Sequence, residues 1–82
     1  MYFVYLLVTK NKNRTISYVG YTKDINKRLK LHNKSKGAKF TRGRTWRLIY
    51  KEIFKSKSKA ISREYYIKKN RALRNNIKNK HK

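Results

Sequence analysis

Between Ser17 and His32 the chain reads Ser-Tyr-Val-Gly-Tyr-Thr-Lys-Asp-Ile-Asn-Lys-Arg-Leu-Lys-Leu-His. Tyr18 and Gly20 are alternate residues of a short strand-forming run, so they share one strand face. Arg28 and His32 follow one helical turn apart, on the side of a helix that also holds Ile25 and Leu29. The side that such a helix buries therefore carries a guanidinium and an imidazole. A half-buried guanidinium needs an anion: a carboxylate, a cluster of terminal carbonyls, or a phosphate held by its planar fork. An imidazole there is either a hydrogen-bonded packing residue or a group that moves a proton to or from water or a leaving oxygen.

The acids limit what this chemistry can be, because Asp24, Glu52 and Glu64 are the only ones. Two-metal hydrolysis needs several carboxylates close together, and Asp24 is already suited to capping a helix. One hard divalent cation can be held by a single carboxylate, with water and substrate phosphate in its other positions. Glu64 is the candidate ligand, since it falls on the apolar side of a second helix, where a lone carboxylate is costly. A Glu–Arg or Glu–Lys ion pair is the structural alternative. Tyr5 and Tyr18, centred on two strands, are ordinary core or rim positions. A phenol with a pKa near ~10 is also a weak base unless a cation or metal lowers it. Taken together, Tyr18, Gly20, Arg28, His32 and Glu64 suit hydrolysis of a phosphodiester with one Mg²⁺ or Mn²⁺ ion. No P-loop or dinucleotide-type glycine loop is present, and no nucleophile elbow occurs.

The elements that must position these groups can be read in order. Tyr2 to Val8 is β-branched and aromatic throughout, which predicts a strand covered on both faces and central in its sheet. Thr9 to Thr15 reads as a polar loop and Ile16 to Tyr21 as the second strand, a hairpin with a longer connection. Asp24 opens the first helix. Ser35 to Thr45 is a glycine-containing basic loop, in which Lys39, Thr41, Arg42 and Arg44 are candidate nucleic-acid contacts. Trp46 to Phe54 reads as a third strand. Ser58 is the expected N-cap of a second helix running to about Lys69, with Ala60, Ile61, Glu64, Ile67 and Lys68 on or near one face. From Asn70 onward a frayed helix or disordered basic tail is expected. The order β-β-α-β-α gives a small α+β (α/β) fold: a three-stranded, mostly antiparallel sheet flanked by helices.

Global composition narrows the partners. The 82 residues include 25 Lys and Arg against three acids, a formal charge of +22. A chain this short buries only about 60% of its unfolded surface, so one domain with a small core is expected. Such charge calls for a polyanion. DNA is the expected partner, with RNA the other nucleic acid that charge alone would serve, and affinity should fall steeply with salt. No segment is long and apolar enough to span a bilayer, no basic helix has a bulky apolar face, and Tyr2 to Val8 lacks the flanks of a signal peptide. The expectation is a cytoplasmic or nucleoid-associated monomer that does not bind membranes and can take a targeting protein partner. Cysteine is absent, which excludes disulfides and thiolate chemistry.

At these residues the sequence resembles the GIY-YIG endonuclease family. The family's first tripeptide aligns with Phe3-Val4-Tyr5 and its second with Tyr18-Val19-Gly20. Arg28, His32 and Glu64 continue the ordered set, and the loop Gly37 to Arg44 is similar to that of the small stand-alone subgroup and of the nuclease module that cuts branched DNA. The resemblance implies a GIY-YIG-like nuclease domain over residues 1–70, and the basic composition beyond it sets off a tail over 71–82. It further implies metal-dependent cleavage of DNA, including branched or damaged forms. Carried over, Glu64 binds the metal and Arg28 holds the scissile phosphate. Tyr18 activates or orients water, Tyr5 positions water or phosphate, and His32 shuttles a proton or contacts phosphate. Phe3 and Val19 depart from the family's glycine and isoleucine, and none of Asn70, Asn75 and Asn76 aligns with its late asparagine. A basic nucleic-acid-binding protein that keeps the fold without catalysis is the alternative.

Overall fold

The structure is a computed structural model and describes residues 1–34 and 43–80. Strands β1 (Tyr2–Asn11), β2 (Arg14–Thr22) and β3 (Arg47–Phe54) form one sheet in the order β2-β1-β3. Both pairings are antiparallel. The helices are α1 (Ile25–Asn33), α2 (Lys57–Lys69) and α3 (Arg71–Lys80). The expected α+β architecture and the central place of the first strand both hold.

Alternation along β1 divides the core into two layers. Val4 and Leu6 point into a cluster with Val19, Ala60, Ile67 and Ile77, which belongs to α2 and α3. Tyr5 and Leu7 point the other way, to Trp46, Ile25 and Leu29, which belongs to α1. Leu6, Leu7 and Ile67 are each fully buried, worth about 1.5–3 kcal/mol apiece in area removed from water.

Three local expectations are corrected. The hairpin connection is short: β1 and β2 run on through the polar residues to pair Asn11 with Arg14, leaving the tight turn Lys12-Asn13, with Lys12 at φ 60°. Polar residues at the strand ends hid this, because Lys10, Arg14 and Thr15 are exposed and give no apolar alternation. The second helix is capped by Ser56 and not Ser58, the Ser56 hydroxyl accepting from Lys59 N at 3.4 Å. Ile61 then turns outward and is 40% exposed.

The third correction concerns the tail. Residues 71–80 are a packed helix whose Ile77 is buried in the core, with Leu73 packed against it. Asn70 ends α2 and starts α3: its Oδ1 accepts from Leu73 N at 3.0 Å, a capping use of Asn. Arg74 then donates to the carbonyls of Ile67 and Lys68, placing a cation on the negative end of α2. Charge density along 71–82 masked two apolar residues, Leu73 and Ile77, one helical turn apart on the same face.

Candidate active site

Asp24 caps α1 as expected, accepting from Lys27 N at 3.0 Å. Thr22 Oγ1 in turn accepts from Asp24 N at 3.2 Å. The pair fixes how β2 turns into α1, and so where Arg28 and His32 point. At the other end of α1, Asn33 grips the backbone of Trp46 from both sides. Trp46 N donates to Asn33 Oδ1 at 2.6 Å and Asn33 Nδ2 donates to the Trp46 carbonyl at 3.2 Å. The buried indole then meets the Tyr18 ring edge-on, 6.3 Å between centroids.

Gly20 lies opposite Tyr5 in the ladder, and Tyr18 opposite Leu7. A Cβ on Gly20 would stand 2.5 Å from Tyr5 Oη and 2.7 Å from Tyr5 Cζ. The missing side chain therefore makes room for the Tyr5 ring to cross β2 and bring its hydroxyl to the edge of the sheet. The space opposite Gly20 is filled by the protein itself and not by a ligand.

At that edge a cavity of about 490 Å³ is lined by Tyr5, Tyr18, Gly20, Arg28 and Glu64, together with Tyr2, Tyr21, Thr22, Lys23 and Lys57. Arg28 comes from the α1 layer and Glu64 from the α2 layer, so the cavity collects side chains from both. Glu64 is the one carboxylate lining it among the described residues. Its side chain is 17% exposed, and Lys68 Nζ stands 3.5 Å from its Oε1. The same ammonium lies 5.9 Å from the centre of the Tyr18 ring. With Lys23, Lys57 and Arg28 around one carboxylate, the cavity is net positive and suits a phosphate.

His32 sits behind this cavity. It is buried and does not line the opening, so the expected direct contact with phosphate is not what this geometry offers. Its Nε2 lies 2.9 Å from the Tyr5 hydroxyl, and its ring packs on Tyr18 at 5.2 Å between centroids. Burial and the neighbouring Arg28 hold its pKa below the usual histidine range, which keeps the ring neutral. Burial also pushes the Tyr5 hydroxyl well above the usual phenol range, reinforced by Tyr18. Tyr5 is thus a hydrogen-bonding hydroxyl at neutral pH and not a base, and His32 orients it.

Among the nucleic-acid candidates, Lys39, Thr41 and Arg42 lie outside the described residues. Arg44 is half-buried and lines a separate recess with Thr9, Lys10, Gly43 and Thr45. None of the late asparagines lines the main cavity: Asn70 caps α3, Asn75 lines a groove near Lys10 and Arg47, and Asn76 is exposed. Lys23, Lys57 and Lys68 were missed as neighbours of the site. Their only sequence signal was that Lys57 and Lys68 share the Glu64 stripe of α2, and lysine is too common here for that to stand out.

A family model described as the GIY-YIG catalytic domain matches residues 1–79. This chain belongs to the GIY-YIG family. As a GIY-YIG chain it is a member of a nuclease family whose enzymes are in general divalent-metal dependent. It is 49% identical to a Clostridium perfringens UPF0213 protein over 84% of this chain and 72% of that one. A UPF0213 protein of Staphylococcus saprophyticus is 46% identical over 78% of each chain. A third, from Staphylococcus aureus, is 41% identical over 82% of this chain and 79% of its own. No solved structure matches it with significance.

The metal that the family implies can be tested against the donors present. No group of three or more His, Cys, Asp or Glu residues gathers among the described residues. One carboxylate in a wide, phosphate-sized cavity fits an ion of the Mg²⁺ kind, which keeps several waters and takes substrate oxygens. It does not fit a two-metal site.

Proposed function

We propose that this protein is a divalent-metal-dependent endonuclease that hydrolyses DNA phosphodiester bonds, with branched or damaged DNA as its target structures. The observation that carries this reading is the single cavity into which Tyr5, Tyr18, Arg28 and Glu64 project from both layers of the fold.

Each residue then has a role set by its surroundings. Glu64 would hold a Mg²⁺ or Mn²⁺ ion, which when bound supplies positive charge to the phosphate and its leaving oxygen. Arg28 grips a non-bridging phosphate oxygen and offsets the charge that grows there as water attacks phosphorus. Tyr18 orients the attacking water or takes its proton. Tyr5, kept as a phenol, hydrogen-bonds water or phosphate, and His32 fixes the direction of its hydroxyl. The P–O bond to the leaving sugar oxygen breaks, and that oxygen ends protonated. Lys23 and Lys57 help seat the backbone without reading sequence.

The test is cleavage of linear, flapped and four-way DNA with Mg²⁺ or Mn²⁺. Glu64→Ala is expected to abolish metal-dependent cutting and leave DNA affinity largely intact, because affinity rests on many cations. Equal loss of binding and cleavage would argue against the metal role. The contact between Glu64 and Lys68 at 3.5 Å favours a second reading, a DNA-binding protein in which Glu64 is half of an ion pair. Wild-type protein that binds DNA but cuts none of these substrates with either ion selects that reading.

A further inference from the structure

Helix α2 presents three stripes to three environments. Ala60 and Ile67 are buried against the sheet. Lys57 and Glu64 line the cavity, with Lys68 one turn beyond. At about 100° per residue, Ile61 and Tyr65 fall on the far side of Glu64 from Ala60 and Ile67, next to the cavity stripe. They face solvent, Ile61 at 40% and Tyr65 at 57% exposure. Lys69 Nζ lies 4.5 Å from the centre of the Tyr65 ring, covering one of its two faces. Tyr66 is on the other side of the helix, engaged with Arg63 and Asn70.

An exposed aromatic ring with an ammonium on one face, beside a helix stripe that carries Lys57 and Lys68, is a poor seat for a protein, since lysine is depleted from interface cores. It is a good seat for nucleic acid. A base offers a flat π-face to the ring, and its phosphate offers charge to the lysines. Paired bases inside a duplex have both faces covered by neighbours, so only an unpaired base can use such a ring.

We propose that Ile61 and Tyr65 form a stacking platform for an unpaired base of the strand whose phosphate occupies the adjacent cavity, so that DNA with single-stranded character beside the cut is the preferred substrate class. This rests on the reading of the cavity as a phosphodiester site. Tyr65, with the Lys69 ammonium beside it, supplies the platform. Ile61, one turn earlier, extends its apolar width.

The experiment measures fluorescence anisotropy of a short labelled thymidine oligonucleotide and of a blunt-ended, fully paired duplex, both without metal. Tyr65→Ala is expected to weaken oligonucleotide binding about tenfold and duplex binding far less, and Tyr65→Phe to restore the preference. An exposed side chain should leave the fold unchanged, which circular dichroism checks. Equal loss on both probes, no loss on either, or failure of the Phe variant to restore binding overturns the platform. Cleavage of a flapped DNA with Mg²⁺ is measured alongside. Wild-type protein that cuts nothing yet keeps the Tyr65-dependent preference supports the platform and overturns the nuclease reading. A Tyr65→Ala protein that cuts normally with unchanged oligonucleotide affinity overturns the platform alone.

Discussion

Two carboxylates meet helix α2, and they are treated in opposite ways. Glu52, on β3, is fully engaged. Arg63 Nε donates to its Oε1 at 2.8 Å and Arg63 Nη2 to its Oε2 at 3.0 Å, while the Tyr50 hydroxyl donates to the same Oε2. Glu64, on α2, opens into a cavity beside Arg28 and four tyrosines, with Lys68 at 3.5 Å. The first arrangement satisfies a carboxylate and ties β3 to α2. The second leaves room around a carboxylate for another cation and a phosphate. In a chain with only three acids, that contrast separates a residue that holds the fold from one that lines the cavity and is proposed to hold the metal.

The contrast can be broken by substitution. Glu64→Ala, with its expected loss of cutting, is the largest effect. Next is Arg28→Ala, expected to lower kcat for DNA cleavage about 100- to 1000-fold with Tm and duplex affinity little changed. A drop in Tm matching that of a Glu52 variant, with cleavage intact, would place Arg28 among the structural ion pairs instead.

Gly20→Ala tests whether the cavity depends on the path of Tyr5. The added methyl collides with Tyr5 Oη and Cζ at 2.5 and 2.7 Å, so the ring must move. The expected cost is about 1–3 kcal/mol of stability, read from denaturant midpoints, with cleavage reduced beyond what unfolding explains. Removing the ring as well, in Gly20→Ala/Tyr5→Ala, should recover stability relative to the sum of the single changes. Simple additivity would show that Tyr5 does not cross at Gly20.

The smallest effect is on the structural carboxylate. Glu52→Gln should cost about 2 kcal/mol, trimmed by solvent screening because the Arg63 side chain is 34% exposed, and should leave cleavage rates of folded protein unchanged. Its pH dependence has a definite sign. Hydrogen bonding from Arg63 holds the Glu52 carboxyl below its ordinary 4.5. The stabilisation is therefore complete above about pH 4.5 and is lost as pH falls through the lower folded value. Melting curves of wild type and Glu52→Gln should converge in acid and separate toward neutrality. A constant gap at every pH would mean that the carboxylate charge contributes nothing.

Much of the fold was legible because its signals are local. An unbroken apolar run marked β1 as the covered central strand, and Asp24 and Gly20 marked the turn into α1. Two elements were obscured for one reason: when nearly a third of the positions are Lys or Arg, solvated and buried faces look alike. That concealed the polar ends of the hairpin and the packing of Ile77 in α3. The family and the ordered set Tyr5, Tyr18, Arg28, His32 and Glu64 were also readable, since order and spacing survive in a linear string.

What the sequence by itself determined, then, was the kind of residues available and the strand or helix face each would occupy, because period-two and 3.6-residue repeats fix faces without tertiary contacts. Tertiary structure alone decided which faces meet. It put Glu64 of one layer beside Arg28 of the other at the open edge of β2. It buried His32 behind Tyr5 and not in the cavity, and it turned Ile61 out beside Tyr65. Those outcomes depend on how two layers pack around a three-stranded sheet, where a side chain's reach past an edge matters more than its place in the chain.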